Sequence, residues 1–264
     1  MDIKLKSVEL KNGEKLGYRE RSGGKEKLLL IHGNMTSSKH WDIFMEAMPE
    51  KYKIYAVDLR GFGISSYNKE INSLHEFAED IKLFCDKLKL KDFNMMGWST
   101  GGGIAMDFAA DNPEYVKKLI LMESVGTRGI PIYKKDENGQ AITNELLKTK
   151  EEIAKDPVQV LPVLNAYENK DKETMKMIWN NTIYTDNKPS PEKYDEYLND
   201  MFTQRNLVDV DYALVHFNIS DEHNGVEKGN NKAAKIEAPT LVLYGENDLV
   251  VSEDSTKNII KDIG

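Results

Sequence analysis

Five short, largely apolar runs punctuate the chain, and they limit its fold more than any other feature. They are Leu28–Ile31, Ile54–Val57, Phe93–Met96, Leu119–Met122 and Leu241–Tyr244. A strand with one wet face alternates apolar and polar residues, whereas a run without alternation reads as a strand covered on both faces. Between the second and third runs, Leu74, Phe77, Ala78, Ile81, Phe84, Cys85 and Leu88 recur at helical spacing. Ser73 and Glu76 have the spacing of a capping box at the start of that helix. A second helix is predicted after Ser99, with Ile104, Ala105, Phe108 and Ala109 on one face and Asp111-Asn112-Pro113 as its stop. Buried strands alternating with helices imply right-handed crossovers and a mostly parallel sheet, so the fold class is α/β. The N-terminal segment differs. IKLKSVELKNGEKLGYRER alternates around Asn12-Gly13, the signature of an antiparallel hairpin.

The alternation of strand and helix breaks after Ser124. From about 125 to 235 no buried strand is expected, only helical pieces near 156–167, 172–183, 190–204 and 206–218. Ser190-Pro191 reads as an N-cap followed by proline at the first helical position. The charged run KKDENGQ reads as a solvated loop. The expected organisation is a core of residues 1–124 and 236–264, interrupted by a helical insertion at 125–235. The insertion is rich in aromatic residues and methionines, including Tyr167, Met175, Trp179, Tyr194, Tyr197 and Met201. Most should pack helix on helix; the rest could roof an apolar pocket.

The segment with most chemical content is MMGWSTGGGIAMDFAA. It sets Gly97-Trp98-Ser99-Thr100-Gly101 between a buried strand and an amphipathic helix, the context of a nucleophile elbow. Such a turn strains its central residue and lifts the side chain clear, and glycine on either side avoids Cβ clashes. The helix N-terminus behind it offers free N–H groups and a partial positive charge. LLLIHGNM ends a neighbouring strand, and its loop can aim a backbone N–H at the point faced by the Thr100 N–H. Two such donors make an oxyanion hole. His32, at the strand end, is expected to be a structural hydrogen-bonder.

Taken together, IHGNM, VDLRGFGIS, GWSTGG and APTLVLYGENDLVV resemble the α/β-hydrolase superfamily, in the cap-bearing esterase and lactonase branch. They come in that family's order and cover most of the chain outside the insertion. The resemblance implies a triad with Ser99 as nucleophile and Asp248 as acid. It implies Asn34 and Thr100 as the oxyanion donors, and no cofactor. Serine at position 99 departs from the epoxide-hydrolase and haloalkane-dehalogenase branches, which use aspartate there. The family's histidine follows one further helix and strand after the acid. Here only residues 249–264 follow Asp248, with one helix near Glu253–Ile260 and no histidine. The expectation is therefore a fragment lacking the last strand, with impaired turnover and an open apolar edge at Leu241–Tyr244. His216 and His223, at the end of the insertion, are alternative bases, and Glu123 is an alternative acid. His40 and His75 are expected at the surface.

The implied activity is hydrolysis of small to medium apolar esters or lactones through an acyl-enzyme. Two other readings stay open: a non-catalytic ligand-binding protein of the same fold, or acyl transfer, C–C cleavage or perhydrolysis on the same residues. A net charge of -8 speaks against nucleic-acid or anionic-membrane surfaces. The single cysteine, Cys85, and the lack of a signal-peptide pattern suit a cytoplasmic protein. No metal-ligand spacing is evident, and Cys85 is expected in the core.

Overall fold

The structure, a computed structural model, describes residues 2–264. Strands β1 (Ile3–Glu9) and β2 (Lys15–Arg21) form the expected antiparallel hairpin, with Gly13 at φ 89° in the turn. β3 (Glu26–Ile31), β4 (Tyr52–Val57), β5 (Phe93–Trp98) and β6 (Val116–Met122) are the first four apolar runs. The short helix α1 (Asp42–Ala47) precedes β4, α2 (Leu74–Leu88) lies between β4 and β5, and α3 (Thr100–Asp111) follows β5.

After β6 comes a small antiparallel pair that the sequence reading missed, β7 (Tyr133–Lys135) and β8 (Ala141–Leu146). Its strands are short and mostly exposed, so no apolar run marks them. The solvated run KKDENGQ forms its turn. Five helices follow: α4 (Lys150–Ile153), α5 (Leu161–Asn169), α6 (Lys172–Thr182), α7 (Pro191–Met201) and α8 (Leu207–His216). Ser190 caps α7 through the Lys193 N–H, with Pro191 at the first turn as expected. The chain then returns to the sheet as β9 (Thr240–Leu243) and ends in α9 (Glu253–Ile263).

The strands assemble into one seven-stranded sheet in the order β1-β2-β4-β3-β5-β6-β9. All pairings from β4 to β9 are parallel, whereas β1–β2 and β2–β4 are antiparallel. Two apolar clusters cover its faces. The larger packs α2 and α3 against β3, β5 and β6, with Phe77, Phe84, Phe93 and Phe108 fully buried. The other gathers Leu28, Leu30, Met45, Ile54 and Met96 on the opposite side. A third cluster belongs to the inserted helices, with Met175, Trp179, Tyr194, Tyr197 and Met201 at its centre. Met35, in the loop after β3, and Trp98 of β5 pack against it. The three tryptophans meet along this seam: Trp98 lies edge-on to Trp41 at 6.1 Å and to Trp179 at 6.5 Å.

One local expectation is corrected. Ser73 makes no side-chain cap at the start of α2; Glu76 instead accepts from the Asn72 N–H at 3.0 Å. Cys85, as expected, is fully buried on the apolar face of α2.

Candidate active site

The site is assembled at the carboxyl ends of β3, β5, β6 and β9, where a parallel sheet leaves its loops free. Ser99 sits between β5 and α3 with φ 55° and ψ −122°, a conformation side-chain-bearing residues seldom adopt. It is pinned there by its own backbone. Its N–H donates to the Met122 carbonyl at 3.1 Å, and its carbonyl accepts from Gly102 at 2.8 Å and Val125 at 3.1 Å.

The turn is feasible because its flanks carry no Cβ. A Cβ on Gly97 would stand 2.3 Å from the Gly101 carbonyl oxygen, and one on Gly101 would stand 2.4 Å from that of Ile31. Gly33 lies against the serine: a Cβ there would come within 3.0 Å of the Ser99 Cβ. The β3 loop, with Asn34, is thus brought beside Ser99, and Thr100 opens α3 directly behind it.

Asn34 does not hang free. Its side-chain amide donates to Asp211 Oδ1 at 2.9 Å, and its Oδ1 accepts from Gln204 Nε2 at 2.8 Å and the Met35 N–H at 3.0 Å. The Met35 N–H also reaches Gln204 Oε1 at 3.1 Å, and Tyr167 donates to the same oxygen at 3.0 Å. Burial pushes the Asp211 carboxyl up to about 7. This network escaped the sequence reading. One signal was available, because Asp211 falls on the apolar stripe of α8 with Leu207, Val210, Leu214 and Val215.

Two acids follow the neighbouring parallel strands β6 and β9. Glu123 ends β6 at φ 42°, and its N–H donates to Leu243 at 2.9 Å. Asp248, just past β9, accepts from the Val250 and Val251 N–H groups at 2.7 and 2.9 Å. The two carboxyls lie side by side. Burial, and then the neighbouring Asp248, push Glu123 up to about 7. The sequence offered them as rivals, and the structure brings them together.

The histidines are largely committed elsewhere. His32 is fully buried; its Nε2 accepts from the Leu59 N–H at 3.0 Å and its Nδ1 meets the Gly33 carbonyl at 2.7 Å. Burial holds it down at about 4, so it stays neutral and structural. His216 has Nδ1 on Glu227 at 2.7 Å and Nε2 on the Lys148 carbonyl at 2.8 Å. His223 is exposed, and its Nδ1 accepts from Gly225 at 2.8 Å. His40 overturns its surface expectation, because its side chain is 2% exposed. It stacks on Tyr197 at 4.4 Å, with Asp200 3.2 Å from Nδ1. The helical pattern of its neighbours hid this, since the inserted helices fold over it.

His75 donates to Asp107 at 2.7 Å, with Asp111 close by, a grouping with metal-ligand character. Lys232 already fills that position, its ammonium 2.8 Å from Asp107 and 2.5 Å from Asp111. The fold thus supplies its own cation there.

A family profile described as alpha/beta hydrolase fold matches residues 27–264. Lipase 1 of Psychrobacter immobilis is 27% identical, over 99% of this chain and 74% of its own. The dihydrolipoyllysine-residue acetyltransferase component of the acetoin cleaving system of Cupriavidus necator is 30% identical over 115 residues. That match takes in 44% of this chain and 31% of that protein, so it is a partial one. Among solved structures, an esterase from Exiguobacterium antarcticum superposes with a TM-score of 0.71 at 19% identity, over 98% of this chain and 87% of its own.

Proposed function

The chain belongs to the alpha/beta hydrolase fold family, and from that premise we infer that it is a hydrolase of carboxylic esters or lactones with Ser99 as nucleophile. The observation that carries this reading is the strained backbone of Ser99, held between β5 and α3 with the Gly33 loop against it. A conformation costing about 1–3 kcal/mol persists only where its surroundings enforce it, and such positions concentrate at functional sites. Relatives named as lipases, such as that of Psychrobacter immobilis, support the substrate class.

In this reading Ser99 Oγ attacks the acyl carbonyl, and the N–H groups of Asn34 and Thr100 receive the developing oxyanion. The alcohol leaves, and water then releases the acid from the acyl-enzyme. Asp248 is the acid of the site, with Glu123 beside it. The inserted helices, residues 125–235, form a cap over this chemistry, with their aromatic cluster facing Trp98. Small, apolar acyl groups fit such a lining.

His32, His75, His216 and His223 have ring nitrogens engaged away from Ser99. Loss of a triad base typically leaves about 10³–10⁴-fold acceleration over water, from the oxyanion donors and binding. Slow turnover of an activated ester is therefore expected. A fluorophosphonate probe should label the chain once, at Ser99, and Ser99→Ala should abolish both labelling and turnover. Labelling elsewhere, or turnover unchanged in Ser99→Ala, rejects the reading. The committed histidines also favour a second reading, ligand binding without turnover. It predicts stoichiometric binding of an ester that is recovered intact.

A further inference from the structure

The buried network around Asn34 ties one core loop to three parts of the inserted segment. Tyr167 comes from α5, Gln204 from the turn after α7, and Asp211 from α8. Two further bonds flank it: Ser37 donates to Asp200 of α7 at 2.8 Å, and Gln204 reaches Asn206 at 3.2 Å. Asn206 in turn donates to the Arg60 carbonyl at 2.8 Å. The loop so gripped is strained, because Met35 holds φ 58° without being glycine. Left to itself, such a residue relaxes toward negative φ. Relaxation would rotate the Asn34–Met35 and Met35–Thr36 peptides, and the adjoining Gly33–Asn34 peptide, which carries the Asn34 N–H, would have to shift with them. The two acceptors on the Met35 N–H, Asn34 Oδ1 and Gln204 Oε1, oppose that rotation. Both belong to side chains that are themselves fixed from the inserted helices.

Asp211 closes the arrangement. An amide side chain has two faces, and which oxygen or nitrogen points where is decided by its partners. Gln204 Nε2 donates to Asn34 Oδ1, and Asp211 Oδ1 accepts from Asn34 Nδ2, so one flip state satisfies both. Without Asp211 the amide loses the acceptor that fixes it, and the bond supporting Met35 becomes optional.

We propose that Asp211 is a positioning residue: acting through the Asn34 side chain, it makes the oxyanion geometry at Ser99 depend on the inserted helices being seated on the core. This rests on the reading of Ser99 as the nucleophile. A displacement of about 1 Å at such a donor costs on the order of 100-fold in rate, so small rotations at Asn34 matter.

The test uses the full chain and two independent readouts. One is the rate of fluorophosphonate labelling at Ser99; the other is amide hydrogen exchange in the peptide spanning 33–37. Asp211→Ala should slow labelling about 10–100-fold and speed exchange in that peptide. Asp211→Asn keeps an acceptor for Asn34 and should restore both to near wild-type values, which a merely structural loss would not do. Should Asp211→Ala fail to fold, Gln204→Ala removes the other grip on Asn34 and should move both readouts the same way. Wild-type labelling in a folded Asp211→Ala overturns the proposal, as does unchanged exchange in the peptide. If the wild-type chain itself resists the probe, the nucleophile reading falls. In that case exchange alone decides whether Asp211 holds the loop.

Discussion

Ser99 carries the most unfavourable backbone geometry at the site, and the cost resides in its Cβ. At φ 55° and ψ −122° an L side chain crowds its own peptide, whereas glycine is at ease. Ser99→Gly and Ser99→Ala remove the same hydroxyl, yet only the first removes the strain. Ser99→Gly should be the more stable by roughly 1 kcal/mol, read as a higher urea midpoint at equal slope. Equal midpoints would mean that the surroundings have relaxed around the serine and that no strain is stored. Residue-level chemistry was legible in the sequence where a spacing enforces it. Gly97, Ser99 and Gly101 announce the elbow because no other residue fits two carbonyls at such range. The Asn34–Gln204–Asp211 network was not legible, because Asn34 lies 170 residues from Gln204 and 177 from Asp211 along the chain and meets them only through folding.

At the scale of elements, the two sheet edges differ in how they meet water. β1 carries Lys4 and Lys6 along an exposed edge. β9 has no charge in Thr240–Leu243 and exposes Leu241 and Leu243, at 54% and 41%. An uncharged apolar edge is a template for pairing with another chain. Leu241→Lys should lower self-association in sedimentation velocity without changing the far-UV spectrum, and unchanged association would clear β9 of that role. β3 and β4 were read from sequence because burial on both faces leaves an unbroken apolar run. The β7–β8 pair lacks that burial, and so lacked the signal. The α2 start was misread for a different reason: two residues at the right spacing can cap each other, but Glu76 has a better partner in the Asn72 N–H.

For the whole molecule, two buried groups bend the pH dependence of stability in opposite senses. His32 is held at about 4, below its ordinary 6.5. As pH falls through that interval the unfolded chain binds the proton and the folded chain does not, so stability is lost on acidification. Asp211 is held at about 7, above its ordinary 3.8. As pH rises from 3.8 to 7 the unfolded chain gives up that proton first, so stability is lost on alkalinisation, by at most about 4 kcal/mol. Asp211→Asn removes the second contribution alone. The variant should match wild type near pH 4, gain on it steadily toward neutrality, and keep a constant advantage above about 7. Denaturant midpoints at several pH values check this. An advantage independent of pH would place the Asp211 carboxyl in water.

The seam where Trp41, Trp98 and Trp179 converge has a practical corollary. The chain contains three tryptophans, so its entire indole emission originates beside the serine and none comes from elsewhere. His40, 5.7 Å from the Trp179 ring, sits within quenching range. The molecule therefore carries its own optical gauge: anything that wedges between core and helices, a bound acyl chain included, has to alter its colour or brightness.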